Sequence, residues 1–155
     1  SILDIGCNCG FFSLFISRFV KDIVGVEINP YLVSIAKDTQ RYLNITNATF
    51  LHSSFEEFET DKKFNIIFSF ANDSTIDDNT KFSFKEYIKK IKSLLTSDGL
   101  LIFESQAIDS MIEKQFSEKF LYLQEIFSVL EKKKINSEYP KNVPLRDFLI
   151  LKNQT

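Results

Sequence analysis

Histidine and cysteine are scarce in this chain: His52 stands alone, and the two cysteines, Cys7 and Cys9, are separated by one residue. Thiols that close do not build an ordinary disulfide framework. With one histidine and no second cysteine pair, no zinc ligand set is expected either. Long apolar runs are missing too, none approaching the ~18 residues of a membrane-spanning helix. No basic stretch precedes the apolar start, and the polar Cys7-Asn8-Cys9 interrupts it, so no secretory signal is read. Reduced thiols and a cytoplasmic location are the expectation. A strongly basic character is also wanting. The net charge is −2 and the sequence pI is near 5.5, which argues against a nucleic-acid-binding surface. The local lysine clusters, Lys89-Lys90 with Lys92 and Lys132-Lys133-Lys134, read as a solvated helix face and a strand end.

What is present suits one core and one domain spanning residues 1–155: 44% of residues are hydrophobic and 26% charged. Apolar strand-like runs alternate with helical spacings. Strands are expected at Ile2–Ile5, Asp22–Glu27, Asn47–His52, Phe64–Ser69 and Leu100–Glu104. Helices follow at Phe11 and at Pro30, where proline suits the first turn. Two more cover Phe82–Leu95, stopped by Ser97-Asp98-Gly99, and a span capped by Asp109 and reaching about Phe120. The last two strands, Ile126–Leu130 and Asp147–Leu151, have no helix between them and must pair antiparallel. The expected fold class is α/β, a doubly wound, mostly parallel seven-stranded sheet closed by a C-terminal antiparallel strand pair.

Chemistry concentrates in the first ten residues. Ile2, Leu3 and Ile5 form a short strand, Asp4 precedes Gly6 by two, and Gly10 opens an apolar helix. A strand, a glycine turn and a helix N-terminus bring backbone N–H groups to where a ligand sits. A dinucleotide loop needs G-x-G-x-x-G. Here only Gly6 and Gly10 are present, Asn8 holds the middle place, and Asp4 would repel a diphosphate. Asn is the non-glycine residue best suited to a left-handed backbone. Asp4-x-Gly6-x-Asn8-x-Gly10 resembles the first motif of the class I (Rossmann-like) S-adenosylmethionine-dependent methyltransferases. One βα unit later, Asp22-Ile23-Val24-Gly25-Val26-Glu27 ends in an acid where that family binds the ribose diol.

That resemblance implies a transferase using S-adenosyl-L-methionine, with Asp4, Gly6, Asn8, Gly10, Glu27, Ile28, Ser54, Phe55 and Ser69 around the cofactor. Ser54 takes the place of the family's adenine-binding acid or amide, leaving recognition to its hydroxyl or to the Phe55 N–H. Phe55 and Ile28 either sandwich the ring or are simply core. As a strand-end acid, Glu27 is expected to be exposed and to carry little folding energy. His52 ends a strand beside the adenine rather than the methyl group, so a general-base role is not assigned to it. Asp73, Asp77, Asp78 and Glu104 are rim acids that either orient an acceptor or are exposed loop residues. No catalytic residue is named.

The fourth strand ends Ser69-Phe70-Ala71-Asn72, without the Asn/Asp-Pro-Pro-aromatic motif of relatives that methylate base or glutamine amino groups. The expected acceptor is a small molecule, a sugar or glycan, or a lipid-linked group, and not DNA. The Gly10-Phe11-Phe12-Ser13-Leu14 run also occurs in glycan-modifying relatives. The alternatives are an RNA methyltransferase whose RNA-binding part lies outside this chain, and a non-catalytic binding module. Ser1 stands almost inside the first strand, where relatives place helices beforehand. The expectation is therefore of a domain lacking the N-terminal helices of a longer chain.

Overall fold

The computed structural model describes residues 1–72, 81–105, 110–136 and 145–154, with backbone alone over 110–116. Seven strands form one sheet: β1 Ile2–Ile5, β2 Ile23–Glu27, β3 Ala48–His52, β4 Phe64–Phe70, β5 Leu95–Glu104, β6 Phe127–Asn136 and β7 Leu145–Asn153. Their order is β3-β2-β1-β4-β5-β7-β6. The first five are parallel, whereas β7 runs antiparallel to both β5 and β6. Among the described residues four α-helices accompany them, α1 Phe11–Ile16, α2 Pro30–Tyr42, α3 Phe84–Leu94 and α4 Ser110–Ile126, with a 3-10 turn at Ser17–Phe19.

The two-residue period of each strand divides the core into two layers. Ile2 and Ile23 pack with Leu14 of α1 and Val33 and Ala36 of α2. Leu3, Ile5 and Val26 point the other way, onto Tyr87, Ile88 and Ile91 of α3. Because β1 pairs with both β2 and β4, the strand order reverses beside it, and a crevice opens at the carboxyl ends of these strands. That geometry places the site.

Local signals set the helix starts. Pro30 occupies the first turn of α2, and the Asn29 side chain accepts from the Tyr31 N–H at 3.0 Å. Ser83 and Glu86 form a reciprocal capping box at α3. Gly10, at φ 70°, begins α1 where a Cβ would lie 2.7 Å from Phe50 ring carbons. Only glycine lets α1 approach β3 so closely.

Several boundaries differ from expectation. Ser97-Asp98-Gly99 does not follow a helix end but lies inside β5, which begins at Leu95 directly after α3. A register shift against β4 between Phe64 and Ile66 takes up the extra residues. Helix α4 continues to Ile126, and its expected cap, Asp109, lies outside the described residues. Strand β6 extends through Lys132, Lys133 and Lys134 to Asn136. It is an edge strand, where lysines discourage pairing with another sheet. Lys132 Nζ lies 3.8 Å from the Phe120 ring centroid, and Lys133 pairs with Glu131 at 2.9 Å. Lys92 is not merely solvated: its Nζ donates to the carbonyls of Ile126 at 3.0 Å and Gln154 at 2.9 Å.

Candidate functional site

The loop from β1 to α1 is wound by three left-handed residues, Gly6 (φ 65°), Asn8 (φ 52°) and Gly10 (φ 70°). Asn8 thus adopts the conformation for which it suits a glycine's place. Every N–H from Gly6 to Gly10 finds a partner inside the protein. Gly6 and Cys7 donate to the Val26 carbonyl, Asn8 to Glu27, Cys9 to the Asn8 side chain and Gly10 to the Cys7 carbonyl. The sequence pattern suggested that these N–H groups meet a ligand; instead they hold the loop against β2. A loop without spare donors cannot cradle a diphosphate as dinucleotide loops do.

Glu27 anchors that arrangement. Its Oε2 accepts from Asn8 N–H at 3.0 Å and its Oε1 from Asn29 N–H at 2.8 Å. The residue is 8% exposed, not a solvated strand-end acid. A carboxylate offers about four lone-pair positions, so two remain for hydroxyl donors in the crevice.

A cavity of about 450 Å³ opens here, within the ~300–1,000 Å³ common for small-molecule sites. Of the residues singled out in the sequence, Gly6, Asn8, Glu27, Ile28, Ser54 and Phe55 line it. Asp4, Gly10 and Ser69 do not. Asp4 is buried and accepts from the Ser13 hydroxyl of α1, so its hydroxylated partner is internal. Burial raises its pKa to about 6, the Ser13 hydrogen bond pulling down and the Glu27 charge adding to the rise. Ser69 shares a 2.8 Å hydrogen bond with the Tyr87 hydroxyl beneath the cavity. Burial pushes the Cys7 thiol well above its usual range, so it is no nucleophile at neutral pH.

On the β3 side, Ser54 Oγ accepts from Glu57 N–H at 3.1 Å and keeps its own proton to donate. Ile28 is 44% exposed, whereas Phe55 belongs to the core and offers the pocket one edge. His52 shares a 3.0 Å hydrogen bond with the Ile28 carbonyl, holding that loop rather than facing a reaction. Glu104 is paired with Arg146 at 2.6 Å. Asp73, Asp77 and Asp78 lie outside the described residues.

Tyr87 and Glu56, which the sequence pattern does not single out, both line the cavity. In sequence Tyr87 belongs only to the apolar face of α3; its hydroxyl among buried aliphatics is the signal that could have found it. The role of Asn72 is equally hidden there. The chain leaves β4 through Ala71, a left-handed alanine (φ 57°), which returns Asn72 over the first loop. Asn72 Nδ2 donates to the Ile5 carbonyl at 2.5 Å, and a Cβ on Gly6 would lie 2.5 Å from Asn72 Oδ1. Among the described residues no lysine or arginine lines the cavity, and no cluster of three His, Cys, Asp or Glu side chains is placed to hold a metal. No helix among them is long and apolar enough to cross a membrane.

A family profile described as a methyltransferase domain matches residues 1–143. The malonyl-[acyl-carrier protein] O-methyltransferase 1 of Ilyobacter polytropus is 30% identical over 141 residues, covering 85% of this chain and 52% of that protein. The 23S rRNA (uracil(1939)-C(5))-methyltransferase RlmD of Francisella tularensis is 44% identical over 66 residues, 42% of this chain and 15% of that protein. The chain thus spans about half or less of these relatives' length. Among solved structures, the N-methyltransferase NodS from Bradyrhizobium japonicum with S-adenosyl-L-homocysteine superposes with a TM-score of 0.80 at 18% identity. That likeness covers 99% of this chain and 78% of NodS, and concerns the fold. S-adenosyl-L-methionine, the cofactor of this family, fits the donor set found here. It carries a diol, an ammonium and a sulfonium and no phosphate, and among the described residues the pocket is lined by acids and by no lysine or arginine. With the profile matching from β1 nearly to β7 and the strand order that its fold requires, the chain belongs to the class I S-adenosylmethionine-dependent methyltransferases.

Proposed function

We propose that this chain transfers the methyl group of S-adenosyl-L-methionine to a small-molecule, sugar or lipid-linked acceptor. The observation that carries the reading is the Glu27 carboxylate, fixed by two backbone donors and opening on a cavity without cationic side chains among the described residues. Its remaining lone pairs accept the ribose hydroxyls. Ser54 and the Phe55 backbone meet the adenine edge, with Ile28 beside the ring. Gly6, Asn8 and Asn72 face the amino-acid end, while Asp4, Gly10 and Ser69 support the lining from behind. The cofactor's sulfonium supplies an already activated methyl. The chain's own task is to hold the acceptor in line at the end of β4, where orientation supplies much of the rate.

The small-acceptor reading is supported by the net charge of −2 and by the Ser69-Phe70-Ala71-Asn72 ending of β4. The relative named for malonyl-[acyl-carrier protein] O-methylation aligns over most of the chain. The RNA reading draws on the 44% identity with an rRNA methyltransferase. S-adenosylhomocysteine at ~100 times its dissociation constant adds about 2.7 kcal/mol to stability, so it raises the thermal midpoint, and NAD does not. Stabilisation by NAD alone overturns the cofactor assignment. Incubation of cell extract fractions with methyl-labelled cofactor then reads the acceptor. Label in small-molecule, glycan or lipid fractions supports the first reading, and label in RNA the second. Tight binding with no label in any fraction favours a non-catalytic binding module.

A further inference from the structure

Residues 53–63 connect β3 to β4 without a helix, so one wall of the cavity is irregular chain. Its support comes from α3. Lys90 Nζ donates to the Glu56 carbonyl at 2.8 Å and lies 5.3 Å from the Phe55 ring centroid and 5.9 Å from that of Phe82. Partial burial costs the ammonium hydration and lowers its pKa, a change that the Glu59 and Glu56 charges oppose without cancelling, while the carbonyl and two ring faces give it partners. The sequence pattern places Lys90 on a solvated face; the structure turns it inward. Glu56 fastens the same loop from the other end, its Oε1 accepting the N–H of Phe82 at 2.6 Å and that of Lys81. Tyr87, one turn before Lys90, packs edge-on against Phe55 at 5.2 Å. Phe55, Glu56 and Tyr87 line the cavity, whereas Lys90 is not in that lining and borders a separate groove with Phe58 and Glu59.

We propose that Lys90 is a positioning residue for the adenine end of the cofactor, acting through Phe55 and Glu56 without touching the ligand. The inference rests on the proposed placement of the adenine against Ser54 and Phe55. Lys90→Met keeps the apolar stem and removes the amine; Lys90→Arg keeps a cation with donors. Calorimetry with S-adenosylhomocysteine and with adenosine is the test, alongside the unfolding midpoint of each ligand-free variant. In Lys90→Met both ligands weaken by the same factor, roughly tenfold, the scale of one hydrogen bond from a charged donor. Lys90→Arg recovers most of that loss, which a purely structural effect on midpoint does not predict. Wild-type affinity for both ligands in Lys90→Met overturns the inference, as does a loss confined to S-adenosylhomocysteine. Wild-type protein that binds neither ligand overturns the cofactor assignment and this inference with it.

Discussion

The Asn8 N–H donates to Glu27 Oε2 at 3.0 Å, so the residue proposed to receive the ribose also closes the loop beside it. Asn29, the N-cap of α2, is held by the other oxygen at 2.8 Å. One side chain thus links the ends of β1 and β2 and the start of α2. Glu27→Ala is therefore expected to lose both affinity and stability. Each charged hydrogen bond to ribose is worth about 1.5–3 kcal/mol of binding, and each N–H left unpaired costs about 1–3 kcal/mol of folding. Glu27→Gln retains one acceptor oxygen and falls between. Calorimetry with S-adenosylhomocysteine and urea unfolding separate the two effects. Unchanged affinity in Glu27→Ala removes Glu27 from the site.

Gly6 and Gly10 share a left-handed backbone but meet different neighbours, and alanine distinguishes them. At Gly10 a Cβ collides with the Phe50 ring and with Ala36 Cβ, at 2.7 and 2.8 Å, inside the core. At Gly6 it collides with Asn72 Oδ1 at 2.5 Å, within the cavity lining. Gly10→Ala is expected to lower stability by about 1–3 kcal/mol, the range for overpacking. Gly6→Ala displaces Asn72 and weakens cofactor binding more than its loss of stability explains. Equal affinity losses at equal stability in the two variants count against this division.

The seven strands and the start of α2 are legible in the sequence because buried parallel strands show as apolar runs and because Pro30 marks a helix start on its own. The burial of Asp4 outside the cavity lining has a physical source. An acid before a glycine turn looks the same in sequence whether it faces a ligand or a serine nine residues later; only the packing of α1 brings Ser13 to it. Lys90 and Lys92 are hidden similarly, since long stems let a surface pattern deliver amines to distant carbonyls. The early start of β5 is masked because Ser97-Asp98-Gly99 has turn chemistry and the register shift that absorbs it depends on β4.

The charge distribution bears on nucleic acids. A domain that neutralises several phosphates shows a log–log salt slope of about −0.9 per phosphate on duplex DNA and about −0.7 on single strands. With a net charge of −2 and lysines engaged by Glu56, Ile126 and Glu131, this chain is expected to bind duplex DNA weakly and to leave DNA base amino groups unmethylated. Titrations at low and moderate salt check it. Micromolar binding to DNA with a slope of several units overturns the small-acceptor reading, and the same behaviour with RNA alone promotes the RNA reading.

Asp4 gives the fold a pH dependence of definite sign. Its carboxyl, pushed by burial from 3.8 to about 6, holds a proton in the native state between those values, where the unfolded chain has released it. The native state binds more protons across that window, so stability falls as pH rises through it. The favourable contribution is complete below about pH 4 and gone above about pH 6. At about 1.4 kcal/mol for each pH unit that separates the two values, the change is about 3 kcal/mol. Asp4→Asn carries no titrating proton and keeps an acceptor for Ser13. Relative to wild type, the variant should therefore gain about 3 kcal/mol between pH 4 and pH 7. Urea unfolding of both proteins at several pH values across that range measures the difference and cancels the titration of other groups. A difference that stays flat with pH means that Asp4 is ionised in the native state throughout, and the Ser13 contact is then that of a carboxylate with a hydroxyl donor.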